Sequence, residues 1–372
     1  MRTLALYGQK RQEPLEADLV KSWAANKPDN YCAGPDGAER VHCILVVSGG
    51  GGFGAFGAGI LNGWTASRKR PDFKIVTGIS TGGLIAPFAF LGAQYDGQLK
   101  RAFTKIKGGA DILVFRGLLN MIFNESAGDS KPLSNLIAKF VDEKFLLAIA
   151  REHRRGRRLY IGTTHMDAQR FVAWNMGAIA TRGTLEALDL FRSVLLASAS
   201  VPGLFPPVMI RVKTPSGNFD EMHADGGVQT QFFYPGDMVS LPEILRQLNA
   251  KRLGSRVIPG NFRLFVIRNA RFTADPKQVE RNLGDISGRA ISTMIQAMGQ
   301  SDLYRLFAVA KARGVDFNYV EVPQKFVWKS EDEFDQKEMN RLFDLGRRIA
   351  SKPGFWKKVP PGAFAKNIER LD

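Results

Sequence analysis

A serine between glycines is the residue whose type and spacing most clearly indicate chemistry in this sequence. Ser80 lies in the pentapeptide Gly-Ile-Ser-Thr-Gly, residues 78–82. This pattern carries weight where a strand turns directly into a helix, because the turn strains the serine backbone and admits only small neighbours. The hydroxyl then projects at the end of the strand, beside the positive N-terminal dipole of the helix. We predict a nucleophilic serine at position 80, with the backbone N–H of Thr81 as a donor to an oxyanion.

A glycine-rich loop precedes this serine in the chain. Residues 48–54 read Ser-Gly-Gly-Gly-Gly-Phe-Gly, and glycines at the start of a helix expose backbone N–H groups that bind anions. One use is dinucleotide binding, since Gly49, Gly51 and Gly54 fit Gly-x-Gly-x-x-Gly, but that use needs an acidic residue at the end of the next strand. That strand ends without one. The other use is an oxyanion hole, where the same amides stabilise negative charge on a carbonyl oxygen.

A nucleophilic serine needs a general base, and histidines are scarce in this chain. The histidines are His42, His153, His165 and His223, and none follows residue 223. In an α/β-hydrolase the histidine comes last in the chain, after the serine and the acid. His165 and His223 stay open as alternatives, but the shortage favours a base that is not histidine.

An aspartate is the candidate for that base. Asp225 is followed by Gly226 and Gly227, and two glycines allow a sharp turn that can point the carboxylate into a site. A carboxylate in a dry pocket gains basicity, because burial disfavours its charged form. The hypothesis requires direct contact between the Asp225 carboxylate and the Ser80 hydroxyl.

The elements that must position these residues alternate between strand and helix. Strands are predicted at 41–47 and 73–79, and helices at 55–67 and 81–93. Continuous apolar strands are typical of parallel sheets covered on both faces, so the alternation predicts an α/β fold with a mainly parallel central sheet and helices on both faces. Further strands are predicted at 158–163, 171–175, 208–212, 263–268 and 317–322, and further helices at 133–152, 185–198, 242–251, 283–313 and 333–351.

The composition is that of a folded protein with excess positive charge. The 372 residues are 44% hydrophobic and 24% charged, which excludes a disordered or fibrous chain. The formal net charge of +16 favours anionic partners such as acidic lipid headgroups. The basic residues lack the interleaved aromatic residues of a nucleic-acid-binding surface, so we expect no nucleic-acid partner.

Cysteine content and hydropathy bear on the cellular compartment. Cys32 and Cys43 are too few for a disulfide framework, and Cys43 is expected to be a buried thiol. No stretch approaches the roughly 18 apolar residues of a membrane span, and the N-terminus has too short an apolar core for a signal peptide. We therefore expect a cytoplasmic protein without a transmembrane span, able to associate peripherally with membranes.

Three motifs in this order, the glycine-rich loop, Gly-x-Ser-x-Gly and Asp-Gly-Gly, resemble those of the patatin-like phospholipase family. Residues 197–207, Ala-Ser-Ala-Ser-Val-Pro-Gly-Leu-Phe-Pro-Pro, are similar to the block before the catalytic aspartate of that family. The resemblance covers residues 42–235 and implies a patatin-like three-layer fold with a catalytic dyad of Ser80 and Asp225. By the same resemblance the oxyanion loop is Gly50, Gly51 and Gly52, and the remaining motif glycines are Gly49, Gly54, Gly78, Gly82, Gly226 and Gly227.

One position departs from the family pattern. Phe53 stands where the family usually has arginine or lysine. The missing cation bears on substrate choice and on how the loop is anchored, more than on the type of reaction.

The resemblance implies hydrolysis of fatty-acyl esters through an acyl-serine intermediate, with no metal and no other cofactor. The implied substrates are phospholipids, lysophospholipids or acylglycerols, met at an anionic membrane surface. Two alternatives stay open: a nucleotide-binding oxidoreductase that uses the glycine loop, and a catalytically silent lipid-binding homologue.

Three parts of the chain are expected to have different roles. Residues 1–40 are read as a polar leader on the surface, residues 41–240 as the catalytic domain, and residues 241–372 as a part that completes or caps the same domain. Residues 109–123 mix apolar side chains with glycines and are a candidate for a mobile cover that binds the acyl chain.

Overall fold

The computed structural model describes residues 2–5, 13–25, 32–33, 40–115, 126, 128–214, 217–250, 257–273, 276 and 278–363. In these residues a ten-stranded sheet lies between two helical layers, and β5 and β6 form a separate two-stranded sheet. The strands are β1 (Arg2–Ala5), β2 (Cys32–Ala33), β3 (Arg40–Val47), β4 (Ile75–Ile79), β5 (Val114–Phe115), β6 (Gly128–Asp129), β7 (Arg158–His165), β8 (Arg170–Asn175), β9 (Val208–Thr214), β10 (Gly217–Asp225), β11 (Phe262–Arg268) and β12 (Asp316–Glu321).

Helices cover both faces of the large sheet. They are α1 (Glu13–Ala24), α2 (Gly54–Ala66), α3 (Thr81–Leu91), α4 (Asp96–Thr104), α5 (Lys131–Phe140), α6 (Glu143–Arg154), α7 (Met176–Ala180), α8 (Leu185–Ser198), α9 (Pro235–Met238), α10 (Leu241–Ala250), α11 (Leu283–Ala312) and α12 (Gln336–Ala350). One core contains side chains of α2, α3, α6, α8 and α12, and the other contains side chains of α1, α10 and α11. Among the described helices, none is both long enough and apolar enough to cross a membrane.

Five parallel strands form the centre of the sheet, in the order β7-β4-β3-β11-β12. All five residues of β4 are buried, and in β3 only Arg40 is exposed. Burial on both faces explains why β3 and β4 are mostly apolar. Antiparallel strands extend the sheet at β8 and β1 and at the β9–β10 hairpin. The α/β fold with a mainly parallel sheet and helices on both faces is confirmed.

Two strands meet end to end along one edge of β7. β8 occupies the other edge of β7 over residues 160–165. On the edge of β7 opposite β8, β4 runs parallel to β7, and the last residue of β4, Ile79, pairs with Gly162. β10 then continues along that edge in the opposite direction, and its last residue, Asp225, pairs with Thr163. This register brings Asp225 to the carboxyl end of β4.

Several elements differ from the sequence-based expectation: β1, β2, β5, β6, α4, α7 and α9 are not predicted, and two further differences have a local cause. No strand is expected at β10, because residues 217–220 are exposed and only its last three residues are buried, so the strand lacks an apolar pattern. The helix expected at 133–152 is two helices, α5 and α6. Asp142 leaves helical geometry between them and caps α6, where its side chain accepts a hydrogen bond from the Phe145 amide at 2.7 Å.

Cys32 and Cys43 form a disulfide bond, which corrects the expectation of a Cys43 thiol. β2 pairs antiparallel with the start of β3, with Cys32 opposite Val41. That pairing brings Cys32 close to Cys43, which lies two residues further along β3. The bond depends on the pairing of two strands, which the positions of two cysteines in a sequence do not reveal.

The two ends of the chain contribute to the same cores. Leu15, Leu19 and Trp23 of α1 are buried, so this part of the expected surface leader packs into the interior. β11 pairs with β3, and β12 pairs with β11. The division of the chain into three parts stays a prediction.

Candidate active site

Ser80 has the strained backbone that the strand-to-helix turn demands. Its φ of 55° and ψ of −130° lie in a region that non-glycine residues rarely adopt. Its amide donates to the Ser198 hydroxyl at 3.0 Å, and that hydroxyl donates to the Gly162 carbonyl at 2.7 Å. These bonds tie the turn to α8 and β7.

The glycines on either side of Ser80 are required by close backbone contacts. A Cβ atom at Gly78 would overlap the carbonyl of Gly82, and a Cβ atom at Gly82 would overlap the carbonyls of Val47 and Ser48. The two glycines therefore let β3, β4 and α3 meet at one point, with the serine between them.

The glycine loop passes directly over Ser80. Gly50 and Gly51 have φ values of 147° and 53°, which favour glycine. A Cβ atom at Gly49 would lie 2.9 Å from the Ser80 Cβ, and α2 begins at Gly54. The loop therefore presents its backbone to the serine at the N-terminus of a helix.

Three of the four predicted oxyanion donors line the cavity, and Gly52 does not. Gly50, Gly51 and Thr81 line the cavity together with Ser80. Gly52 is buried, and a Cβ atom there would overlap the backbone carbonyl of Glu333. Gly52 thus packs within the chain rather than facing the cavity.

Asp225 lines the cavity together with Ser80 and lies near its hydroxyl. It is buried, and its Oδ1 accepts a hydrogen bond from the Gly227 amide at 2.6 Å. Its Oδ2 has no hydrogen-bond partner of ordinary geometry among the described residues. A Cβ atom at Gly226 would lie 2.7 Å from the Gly162 carbonyl oxygen, so the Asp-Gly-Gly turn packs tightly on β7. One carboxylate oxygen is fixed by the turn, and the other is available to Ser80.

The surroundings of Asp225 make it a stronger base than an ordinary carboxylate. Burial raises its pKa from 3.8 to about 7, while the nearby Ser80 hydroxyl and the hydrogen bond from the Gly227 amide lower it. A base with a pKa near neutral both holds and releases a proton at physiological pH.

The two histidines considered as alternative bases lie elsewhere. His223 Nδ1 bonds the Thr163 hydroxyl at 2.9 Å and its Nε2 lies 3.2 Å from Glu221. His165 Nδ1 accepts the Ala168 amide at 3.0 Å. Neither belongs to the described residues that line the cavity. Also within the described chain, no group of three or more His, Cys, Asp or Glu side chains is arranged to hold a metal ion.

A large apolar cavity opens onto Ser80. Its volume is about 1460 Å³, larger than the roughly 300–1000 Å³ of typical small-molecule sites. Residues 109–110 and 112–114, part of the expected acyl-binding cover, contribute to its wall; residues 116–123 of that cover lie outside the described residues. Other apolar lining residues include Leu84, Phe88, Phe103, Leu133, Ile137, Leu195, Phe205, Ile295 and Met298.

Asn269 supports the glycine loop and could not be found from the sequence. It directly follows β11 and is fully buried. Its amide donates to the Ser48 hydroxyl at 2.8 Å, its Nδ2 donates to the Ser48 carbonyl at 2.9 Å, and its Oδ1 accepts from the Gly57 amide at 3.0 Å. It thus ties the start of the loop to the first turn of α2, although no motif marks it in the sequence.

A second segment from the C-terminal part lies against the loop. The Phe53 ring stacks on Trp328, with 5.1 Å between centroids and 22° between planes. Glu333 lines the cavity, and a Cβ atom at Gly51 would overlap its Oε1. Burial raises the pKa of Glu333, while the Gly52 amide lowers it. Aromatic stacking therefore anchors the loop at Phe53, the position where the family pattern has a cation.

A comparison with protein-family models agrees with these motifs. A family model described as patatin-like phospholipase matches residues 45–233, which contain the glycine loop, Ser80 and Asp225. No curated protein matches the chain. Among solved structures, the chain is similar to VipD from Legionella pneumophila with a TM-score of 0.39 and 10% identity, over 85% of this chain and 70% of VipD.

Proposed function

Because the chain belongs to the patatin-like phospholipase family, we propose that it hydrolyses fatty-acyl esters with Ser80 as nucleophile and Asp225 as general base. The observation that carries this proposal is that a serine with a strained backbone and a buried carboxylate of raised pKa line the same large apolar cavity. The family supports a lipid acyl hydrolase; the dyad and the substrates are our inference.

The first half-reaction forms the acyl-enzyme. Asp225 accepts the proton of the Ser80 hydroxyl as its oxygen attacks the ester carbonyl carbon. The carbonyl oxygen becomes an oxyanion beside the amides of Gly50, Gly51 and Thr81, which stabilise it. When the carbon–oxygen bond of the ester breaks, the leaving alcohol takes the proton from Asp225.

The second half-reaction releases the fatty acid. A water molecule loses a proton to Asp225 and attacks the acyl-serine carbonyl. The same amides stabilise the second oxyanion. When the acyl–serine bond breaks, Ser80 recovers its proton from Asp225 and the fatty acid leaves. Two residues thus carry every proton transfer of the cycle.

The cavity favours esters with long acyl chains. Its wall is largely apolar, and it extends from Ser80 past α3, α5 and α11. Burial of each methylene of an acyl chain contributes about 0.8 kcal/mol. Phospholipids, lysophospholipids and acylglycerols are therefore the proposed substrates.

The site gives less support to the alternatives. A dinucleotide phosphate on the glycine loop would meet the Glu333 carboxylate next to Gly51, and two anions repel at that distance. A silent lipid-binding protein would not need the strained Ser80 backbone, which costs on the order of 1–3 kcal/mol. Cytoplasmic location stays a prediction. The Cys32–Cys43 disulfide counts against it, because disulfides persist mainly in oxidising compartments.

The test is product analysis on defined lipids. Purified protein is incubated with phosphatidylcholine, lysophosphatidylcholine and diacylglycerol of known acyl composition, and products are identified by mass spectrometry. We expect free fatty acid from at least one lipid with the native protein and none with Ser80→Ala. Equal fatty acid release by both proteins would contradict the proposal, and so would release by neither.

A further inference from the structure

The first half of α11 projects from the body of the protein. Leu283 is 84% exposed, Ile286 53% and Met294 59%. The second half of the same helix is anchored in the core by Leu303 and Leu306, which are fully buried. The outer half therefore lies at the surface with large apolar side chains in solvent.

This half-helix exposes large apolar side chains, while one of its polar side chains faces the protein. Gln296 faces the protein, where its Nε2 donates to the carbonyls of Arg271 at 3.0 Å and Phe272 at 2.8 Å. An apolar stripe of exposed residues recurs every three or four positions, which places it on one helical face. Its members are Leu283, Ile286, Ala290, Met294 and Ala297.

The apolar stripe adjoins the mouth of the active-site cavity. Ile291, Met294 and Ile295 of α11 line that cavity. Val114, Leu204 and Val228 also line it and are exposed, so apolar residues continue from the stripe to the opening that leads to Ser80. Contiguous exposed apolar surface of this kind marks an interaction site.

We propose that the apolar stripe of α11 is the surface by which the protein docks on a lipid bilayer, with the cavity mouth facing the membrane. The inference rests on the proposed function, since a lipid lifted from the bilayer would enter the cavity along this helix. Leu283 and Ile286 enter the acyl region, and the exposed Arg281 just before the helix lies at the level of the headgroups.

Charge favours a lipid surface over a second copy of the chain. Each copy carries a formal net charge of +16, so two copies repel each other. An anionic bilayer attracts the same charge. The apolar stripe supplies the contact and the net charge supplies the attraction.

The experiment uses vesicle flotation in a Ser80→Ala background, so that lipid is bound without being consumed. The vesicles are phosphatidylcholine alone or mixed with phosphatidylglycerol. The test variant adds Leu283→Asp and Ile286→Asp, two positions that do not line the cavity. The control variant adds Leu147→Asp and Leu185→Asp, which are 56% and 64% exposed on α6 and α8. Each pair removes two exposed leucine or isoleucine side chains and adds two negative charges.

We expect the test pair to lower the vesicle-bound fraction roughly tenfold or more, because two large apolar side chains no longer enter the bilayer. The control pair should lower it much less, and mixed vesicles should bind more protein than neutral ones. With Ser80 restored, the protein that carries the test pair should hydrolyse a short-chain soluble ester at the native rate and should lose its hydrolysis rate on vesicles.

Several results would overturn the docking surface. One is equal binding by the test and control pairs, and another is no vesicle binding by the parent protein. A dimer in sedimentation that the test pair dissociates would assign the stripe to a second copy instead. Failure of the proposed function is separate, because it appears as absence of Ser80-dependent hydrolysis of the soluble ester.

Discussion

Ser80 directly follows β4 and Asp225 ends β10, and these two strands end against each other along one edge of β7. The sheet register therefore brings together two residues that are far apart in the chain. Neither side chain depends on a flexible loop for its position, because each lies at the end of a paired strand. Rigid placement of this kind is what a dyad without a histidine requires.

The pH dependence of hydrolysis should report the ionisation of Asp225. Burial raises its pKa to about 7, and only the ionised carboxylate can accept the serine proton. The value of kcat/KM on a soluble ester should therefore fall as the pH drops through about 7. A rate that stays flat down to pH 5 would contradict the role of Asp225 as base.

Asp225→Asn should abolish activity and raise stability at alkaline pH. In the folded protein Asp225 keeps its proton up to about pH 7, while its unfolded value is near 3.8. The folded state therefore binds more protons between these values, and stability falls as the pH rises through that window. Above about pH 7 the buried, ionised carboxylate lowers the free energy of unfolding by its full amount, on the order of 4 kcal/mol. Asparagine carries no charge and removes this loss.

Thermal unfolding of the native protein and of Asp225→Asn at pH 5 and pH 8 measures this change in stability. The gain in Tm from Asp225→Asn should be larger at pH 8. His223→Gln is the activity control, since His223 does not line the cavity. An active Asp225→Asn protein beside an inactive His223→Gln protein would assign the base to the histidine.

Asn269→Ala should slow the reaction by loosening the glycine loop. The side chain holds Ser48 and Gly57 through two hydrogen bonds, and misplacement of the loop amides should lower kcat by about one to two orders of magnitude with little change in KM. The matched control is Asn318→Ala, a buried asparagine on β12 whose Nδ2 donates to the Leu264 carbonyl. A similar loss of kcat in both folded variants would show a general structural effect.

Glu333→Gln should raise the rate severalfold. Its carboxylate lies against Gly51 and Gly52, so when ionised it opposes the negative charge that develops on the nearby oxyanion. Because the pKa of Glu333 is raised, the ratio of variant to native kcat/KM should grow as the pH rises. Glu331→Gln is the control, since Glu331 also lines the cavity. An unchanged or lower ratio at pH 8 would show that Glu333 does not oppose the reaction.

The parts of the fold that could be predicted are those that depend on local pattern. β3 and β4 are mostly apolar because both faces are covered, and Ser80 is predictable because the turn after β4 imposes small neighbours on it. β10 is not predictable from the sequence although it ends in Asp225, because its exposed outer half has no apolar alternation.

The parts that could not be predicted depend on contacts between distant residues. Asn269 and Glu333 reach the glycine loop from beyond residue 233, where the family model ends. Neither lies in a motif, and nothing in their neighbours along the chain indicates that the fold returns them to the site. The Cys32–Cys43 disulfide was missed for the same reason.

The most direct test of the central claim is covalent labelling of Ser80 by a fluorophosphonate. Native protein, Ser80→Ala and Asp225→Asn are treated with the probe, digested and examined by peptide mass spectrometry. We predict one added phosphonyl group on the peptide that contains Ser80 in the native protein, none in Ser80→Ala, and labelling slowed by orders of magnitude in Asp225→Asn. An unlabelled Ser80 in a native protein that still hydrolyses the ester would show that the nucleophile is another residue.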